Sequence, residues 1–147
     1  MTIPTLRPST PVDAPRLLEL WEAAVRATHD FLTAADIDAL LPQVRAYVST
    51  APFELATDEQ GTVWAFLGMT GSKIDSLFVH PDAHGRGLGR ALVEHAAALH
   101  PVLTVDVNEQ NPGARTFYAR LGFEVVGRSE TDDAGRPFPL LHLRRAV

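Results

Sequence analysis

Between His84 and Arg90 the chain reads His-Gly-Arg-Gly-Leu-Gly-Arg, with glycines at 85, 87 and 89. Glycines so spaced let a backbone come close to a ligand, because no Cβ stands in the way. Where a helix begins directly behind them, its unpaired N–H groups and the positive end of its dipole point at the same spot, which suits an anion such as a pyrophosphate. Arg86 and Arg90 would add positive charge there, and each reads equally well as an exposed charge at a helix start. A glycine-rich turn is also a plain way to join a strand to a helix, so the flanking elements decide between a binding loop and a connection.

Those elements can be read from periodicity. Ile74 to Val79 is an apolar strand that empties into the loop, and Leu88, Leu92, Val93, Ala96 and Leu99 recur at helical spacing, which predicts a core-facing stripe. Leu103 to Val107 alternates like a half-buried strand, and Asn111-Pro112 then opens a helix carrying Ala114, Phe117, Tyr118 and Leu121 and stopping at Gly122. Upstream, Thr5 to Ser9 reads as a strand. Asp13 to Thr28 is a helix with Leu17, Leu20, Trp21 and Val25 on one face, and a second helix lies near Thr33 to Leu41. Strands follow at Phe53 to Thr57 and Val63 to Met69, and two more close the chain at Glu124 to Ser129 and Pro139 to Leu143. The order βααβββαβαββ is that of a mixed α/β protein. No internal repeat or low-complexity linker interrupts it, so residues 1–147 are expected to form a single domain.

Two motifs in this order resemble the GNAT superfamily of N-acetyltransferases. The family's loop is Gln/Arg-x-x-Gly-x-Gly/Ala, which His84-Gly85-Arg86-Gly87-Leu88-Gly89 matches except at His84, a position acting largely through its backbone. The later motif, Asn-x-x-Ala-x-x-x-Tyr-x-x-x-Gly-Phe, is met in full by Asn111, Ala114, Tyr118, Gly122 and Phe123. The segments Ala27 to Leu32, Val107 to Asn111 and Gly127 to Glu130 resemble small bacterial members, so the likeness spans nearly the whole chain. It implies the GNAT fold: a central, mostly antiparallel twisted sheet of about seven strands, splayed between the fourth and fifth and flanked by about four helices.

The resemblance also implies a reaction, transfer of an acetyl group from acetyl-CoA to a primary amine by direct attack in a ternary complex. The pyrophosphate of the donor would rest on Gly85 to Gly89, and backbone groups of Leu77, Phe78 and Val79 would pair with the pantetheine arm as an added strand would. The side chains of those three residues read as core. Asn108 and Asn111 fall where an asparagine could reach that arm, although Asn111 reads equally as a helix cap. Tyr118 would be the general acid: the leaving thiol has a pKa of about 8.5 and a phenol about 10, so the hydroxyl can protonate or hydrogen-bond the departing sulfur. The amine must lose a proton before attack, and Asp75 and His29 are the nominated bases. Asp75 would share a face with Leu77 and Val79 in a regular strand. His29, with Asp30 and Phe31, falls where these enzymes bind acceptors, though Thr28-His29-Asp30 is equally a helix end and cap. His80, His95, His100 and His142 read as surface residues.

Composition narrows the partners. The formal charge of −5, with Lys73 the one lysine and no basic run, argues against nucleic acid. With no cysteine there is no disulfide, thiolate metal site or acyl-cysteine route. His80 and His84 straddle Pro81 and no histidine pair has ligand spacing, so no metal is expected. No signal pattern or membrane-spanning stretch is visible, and a cytoplasmic protein, monomer or homodimer, is the expectation. The acceptor could be a small amine, a peptide N-terminus or a protein lysine. Two rivals remain: a non-catalytic acyl-CoA-binding sensor, and a nucleotide-binding α/β domain whose loop grips another pyrophosphate. The latter lacks both Rossmann spacing and a Gly-Lys-Ser/Thr.

Overall fold

Leu17, Leu20, Trp21 and Val25 are buried on one face of α1 (Ala14–Thr28), as their spacing requires. The computed structural model describes residues 4–28, 32–50 and 52–146. The nominated His29, Asp30 and Phe31 lie outside them. The remaining elements are β1 (Thr5–Pro8), α2 (Ala34–Thr50), β2 (Glu54–Thr57), β3 (Val63–Thr70), β4 (Lys73–Val79), α3 (Leu88–Leu99), β5 (Val102–Asn108), α4 (Pro112–Arg120), β6 (Glu124–Ser129) and β7 (Leu140–Ala146). The strands form one seven-stranded sheet in the order β1-β2-β3-β4-β5-β7-β6. The pairs β1-β2, β2-β3, β5-β7 and β6-β7 are antiparallel, and β4 and β5 run parallel with Lys73 opposite Thr104 and Ile74 opposite Val105. This is the expected mixed architecture with four helices.

Residues 1–68 and 76–95 make one compact unit, and residues 69–75 and 96–147 a second. In the first, the α1 face packs with Ile37 and Val48 of α2 and with Phe53, Leu55, Val63 and Phe66. Each fully buried side chain of this size contributes about 1.5–3 kcal/mol. Edge-on ring contacts run from Tyr47 to Phe53 to Phe66. In the second unit, Leu103, Val105 and Val107 alternate inward along β5 and Leu141 and Leu143 along β7, while Thr104, Asp106, Asn108 and His142 take the other face.

Two expectations need correction. Helix α2 does not stop near Leu41 but continues through Pro42 to Thr50. A proline inside a helix removes one backbone bond, yet Leu40, Leu41, Val44 and Tyr47 pack on the core on both sides of it, and that packing carries the helix on. Thr33 and Asp36 start α2 with reciprocal bonds, the Asp36 N–H donating to Thr33 Oγ1 at 3.1 Å and the Thr33 N–H to Asp36 Oδ2 at 2.9 Å. In α3, Leu88, Leu92, Val93 and Ala96 are buried as expected, but Leu99 is 67% exposed. It is the helix's final residue, and the stripe runs out where no further turn shields it.

Candidate active site

In the first unit the glycine-rich loop has the geometry of a cradle. Gly85 and Gly87 adopt φ of +80° and +77°, a region closed to most side chains, and a Cβ at either would meet open space. The loop therefore needs glycine for its backbone path, and the room beside it is free for a ligand. Helix α3 starts at Leu88, and the Ala91 N–H donates to Gly87 O at 3.0 Å. The N–H groups of Leu88, Gly89 and Arg90 precede that first bond, so no carbonyl of the helix can accept from them. These observations fit an anionic group. His84 is exposed, and its backbone N–H closes a tight turn on Pro81 O at 3.2 Å, which explains why its side chain can depart from the family pattern.

Arg86 and Arg90 are exposed, and neither forms an ion pair among the described residues. A hollow of about 390 Å³ adjoins the loop, lined by Gly85, Arg86, Leu88, Pro4, Thr57, Asp58 and Trp64. Asp58 accepts from Trp64 Nε1 at 2.8 Å. That bond outweighs desolvation and, with the Thr62 and Gln60 amides and the Arg86 charge, holds the Asp58 carboxyl below its ordinary range. On β4, Leu77, Phe78 and Val79 are half-buried, and Phe78 leans on Phe66 with ring centroids 5.6 Å apart, as expected of core side chains.

In the second unit, α4 carries the tyrosine. Asn111 caps the helix, its Oδ1 accepting from the Ala114 N–H at 3.1 Å, and Pro112 occupies the first turn. Asn111 is buried, and its amide NH2 bonds no described residue. Asn108 closes the preceding turn by accepting from the Gln110 N–H at 3.1 Å. Tyr118 is 5% exposed, its ring held edge-on by Phe117 at 5.0 Å and Phe123 at 5.1 Å. Burial raises the phenol's pKa, so the group stays protonated. Its hydroxyl bonds no described residue. The result is a neutral phenol able to donate a proton. Asp75 is exposed and receives a hydrogen bond from the Thr70 hydroxyl.

His142, read from the sequence as a surface residue, is bonded at both ring nitrogens and belongs to a third group. His142 Nδ1 lies 2.6 Å from Asp106 Oδ1, Lys73 Nζ 3.0 Å from Asp106 Oδ2, and His142 Nε2 2.7 Å from Ser129 Oγ. Burial would raise the Asp106 carboxyl, but the bonds from His142 and Lys73 overcome it and hold the group ionised below its usual range. The only sequence signal was a polar residue at the outward position of each strand. Among the described residues no group of three or more His, Asp or Glu could hold a metal ion, and no helix is long and apolar enough to cross a membrane.

The peptidyl-lysine N-acetyltransferase YjaB of Salmonella typhimurium is 44% identical over 94% of this chain and 95% of its own length. The peptidyl-lysine N-acetyltransferase YiaC of Escherichia coli is 32% identical, covering 85% and 86%. The solution structure of apo-form YjaB from Escherichia coli superposes with a TM-score of 0.92 at 43% identity over 97% of both chains. Residues 49–125, which hold the glycine-rich loop and the Asn111-to-Phe123 motif, match the acetyltransferase (GNAT) domain, and the chain belongs to the GNAT acetyltransferase family.

Proposed function

We propose that this chain transfers the acetyl group of acetyl-CoA to the side-chain amine of a lysine in a protein or peptide. The observation that carries the reading is Tyr118, a buried phenol kept neutral, its hydroxyl bonded to no described residue, at the position the family motif reserves for it. The lysine acceptor rests on the likeness to peptidyl-lysine N-acetyltransferases over nearly the whole chain. In the first unit, the amides at the start of α3 and the open loop of Gly85 and Gly87 bind the donor's pyrophosphate, Arg86 and Arg90 add charge, and the backbone of Leu77, Phe78 and Val79 takes its amide arm. In the second unit, the NH2 of Asn111 orients the donor while the Asn111 oxygen holds the cap.

Acetyl-CoA supplies an activated thioester. Attack by the amine forms the amide bond and breaks the carbon–sulfur bond, and the Tyr118 hydroxyl gives its proton to the departing sulfur. The phenolate is reprotonated from solvent or by the proton that the amine has lost. Asp75 and His29 are the proposed bases for that proton, and Asp30 and Phe31 the proposed acceptor contacts.

The test is thiol release on a lysine peptide beside calorimetric titration with acetyl-CoA, for the wild type and Tyr118→Phe. The variant is expected to bind the donor with unchanged affinity and to lose about 10²-fold or more in kcat. Equal turnover by both proteins would remove Tyr118 from the chemistry. Donor binding with no turnover on any amine would assign the chain to the acyl-CoA sensors instead.

A further inference from the structure

Ser129, His142 and Asp106 form one hydrogen-bonded line across three strands of the second unit, and the register shows how it is built. Asp106 and His142 stand directly opposite each other on β5 and β7. On β6 the residue opposite His142 is Gly127, and Ser129 stands two positions further along. Diagonal neighbours of that kind lie within reach of a long or aromatic side chain. A Cβ at position 127 would come within 3.3 Å of His142 Cδ2, so the glycine gives the imidazole room to lean toward Ser129. The register shift between Val125 and Gly127 brings that glycine into place: an unbroken ladder from the Val125–Leu143 pair would set Val126 opposite the histidine. Bulges re-aim side chains in this way beside functional sites.

The direction of each hydrogen bond follows from the partners. An ionised carboxylate can only accept, and Asp106 is kept ionised by Lys73 at 3.0 Å on its other oxygen. In the neutral imidazole Nδ1 therefore carries the proton and donates to Asp106. Nε2 presents a lone pair, and the Ser129 hydroxyl donates to it across 2.7 Å. A nucleophile against a base, with the base oriented by a third group, is the arrangement that activates a serine, and it is recognised by geometry rather than by fold. The His142 side chain is 35% exposed, so a small molecule can approach.

We propose that Ser129 is a nucleophile toward small activated acyl esters, with His142 its general base and Asp106 the positioning residue, forming an acyl-transfer centre separate from the Tyr118 chemistry. Ser129 Oγ bonds to the acyl carbon and its proton passes to His142 Nε2. The bond from that carbon to the leaving oxygen breaks, and the leaving group takes the proton from His142. Water then adds to the acyl-serine, giving a proton to His142, and Ser129 Oγ departs with that proton. The products are an alcohol or phenol, a carboxylic acid and the original enzyme, with no change in oxidation state.

The test treats the full chain with a fluorophosphonate probe, locates the adduct by peptide mass spectrometry, and follows p-nitrophenyl acetate hydrolysis in the wild type, Ser129→Ala and Asp106→Asn. The expected result is an adduct on Ser129 and a fall of about tenfold or more in hydrolysis for both variants. Asp106→Asn should lower kcat with little change in KM. Ser129→Ala removes one hydroxyl, so its melting temperature and lysine-peptide acetylation should stay close to wild type. An adduct elsewhere or none, or hydrolysis unchanged in Ser129→Ala, would overturn the proposal and leave the line as a clasp between strands. Loss of lysine acetylation in the same variant would overturn the separation of the two centres. Turnover on lysine by the wild type is read independently, so failure here and failure of the N-acetyltransferase reading are distinguishable.

Discussion

Asn111 uses its two amide ends differently, and that division can be separated by substitution. Its oxygen accepts from the Ala114 N–H, and its NH2 bonds no described residue. Asn111→Ala is expected to cost about 1 kcal/mol of stability, read by urea denaturation, as loss of an N-cap does. Asn111→Asp keeps the accepting oxygen and should hold stability while weakening acetyl-CoA binding, read by calorimetry. If Asn111→Asp bound the donor as tightly as the wild type, the residue would be a cap alone. The cap at Asn111 and the place of Tyr118 on α4 were legible in the sequence because they lie within one local strand-to-helix unit, where spacing fixes geometry. The line from Ser129 through His142 to Asp106 was not, because its members are 13 and 36 residues apart and meet only through strand register. A one-residue slip, such as the bulge in β6, changes every such meeting.

Most of the elements follow from hydrophobic period alone, and α2 shows where that reading fails. Local preference places a stop at Pro42, whereas Ile37 and Val48, on either side of it, are both buried. Burial on both flanks outweighs the lost backbone bond, a tertiary effect that no local window contains. The proline should then be a net burden on the folded state. Pro42→Ala is expected to stabilise the protein by about 1–3 kcal/mol, the helix-interior penalty of proline less the entropy it removes from the unfolded chain. Chemical denaturation measures this, and a destabilised variant would mean that the neighbouring packing depends on the ring. The strand ends were readable to within a few residues because each is bounded by glycine, proline or a short polar turn. The glycine-rich loop was readable for the same reason, its two positive φ angles requiring the residue type found there.

Over the whole molecule, several carboxylates are held below their ordinary range in the fold. Asp13 is lowered chiefly by its bond to Arg7, with Arg7 Nη2 at 2.9 Å from Oδ1. Asp106 is lowered by His142 and Lys73 against the pull of burial. For groups whose folded pKa is depressed, the stabilisation is present above the unfolded value of about 3.9 and is lost as the pH falls through the lower folded values. The urea midpoint should therefore hold between about pH 7 and 5 and drop below about pH 4, and Asp13→Asn should flatten part of that drop. A midpoint that stayed level into strong acid would show that these bonds contribute nothing net. Lys73 takes part in the same balance, its pKa raised first by the bond to Asp106. It is the one lysine in the sequence. An ammonium held protonated has no lone pair to attack a thioester. The chain's single lysine side chain is thus chemically muted, so it should stay unmodified through long exposure to an acetyl donor, as peptide mass spectrometry would read.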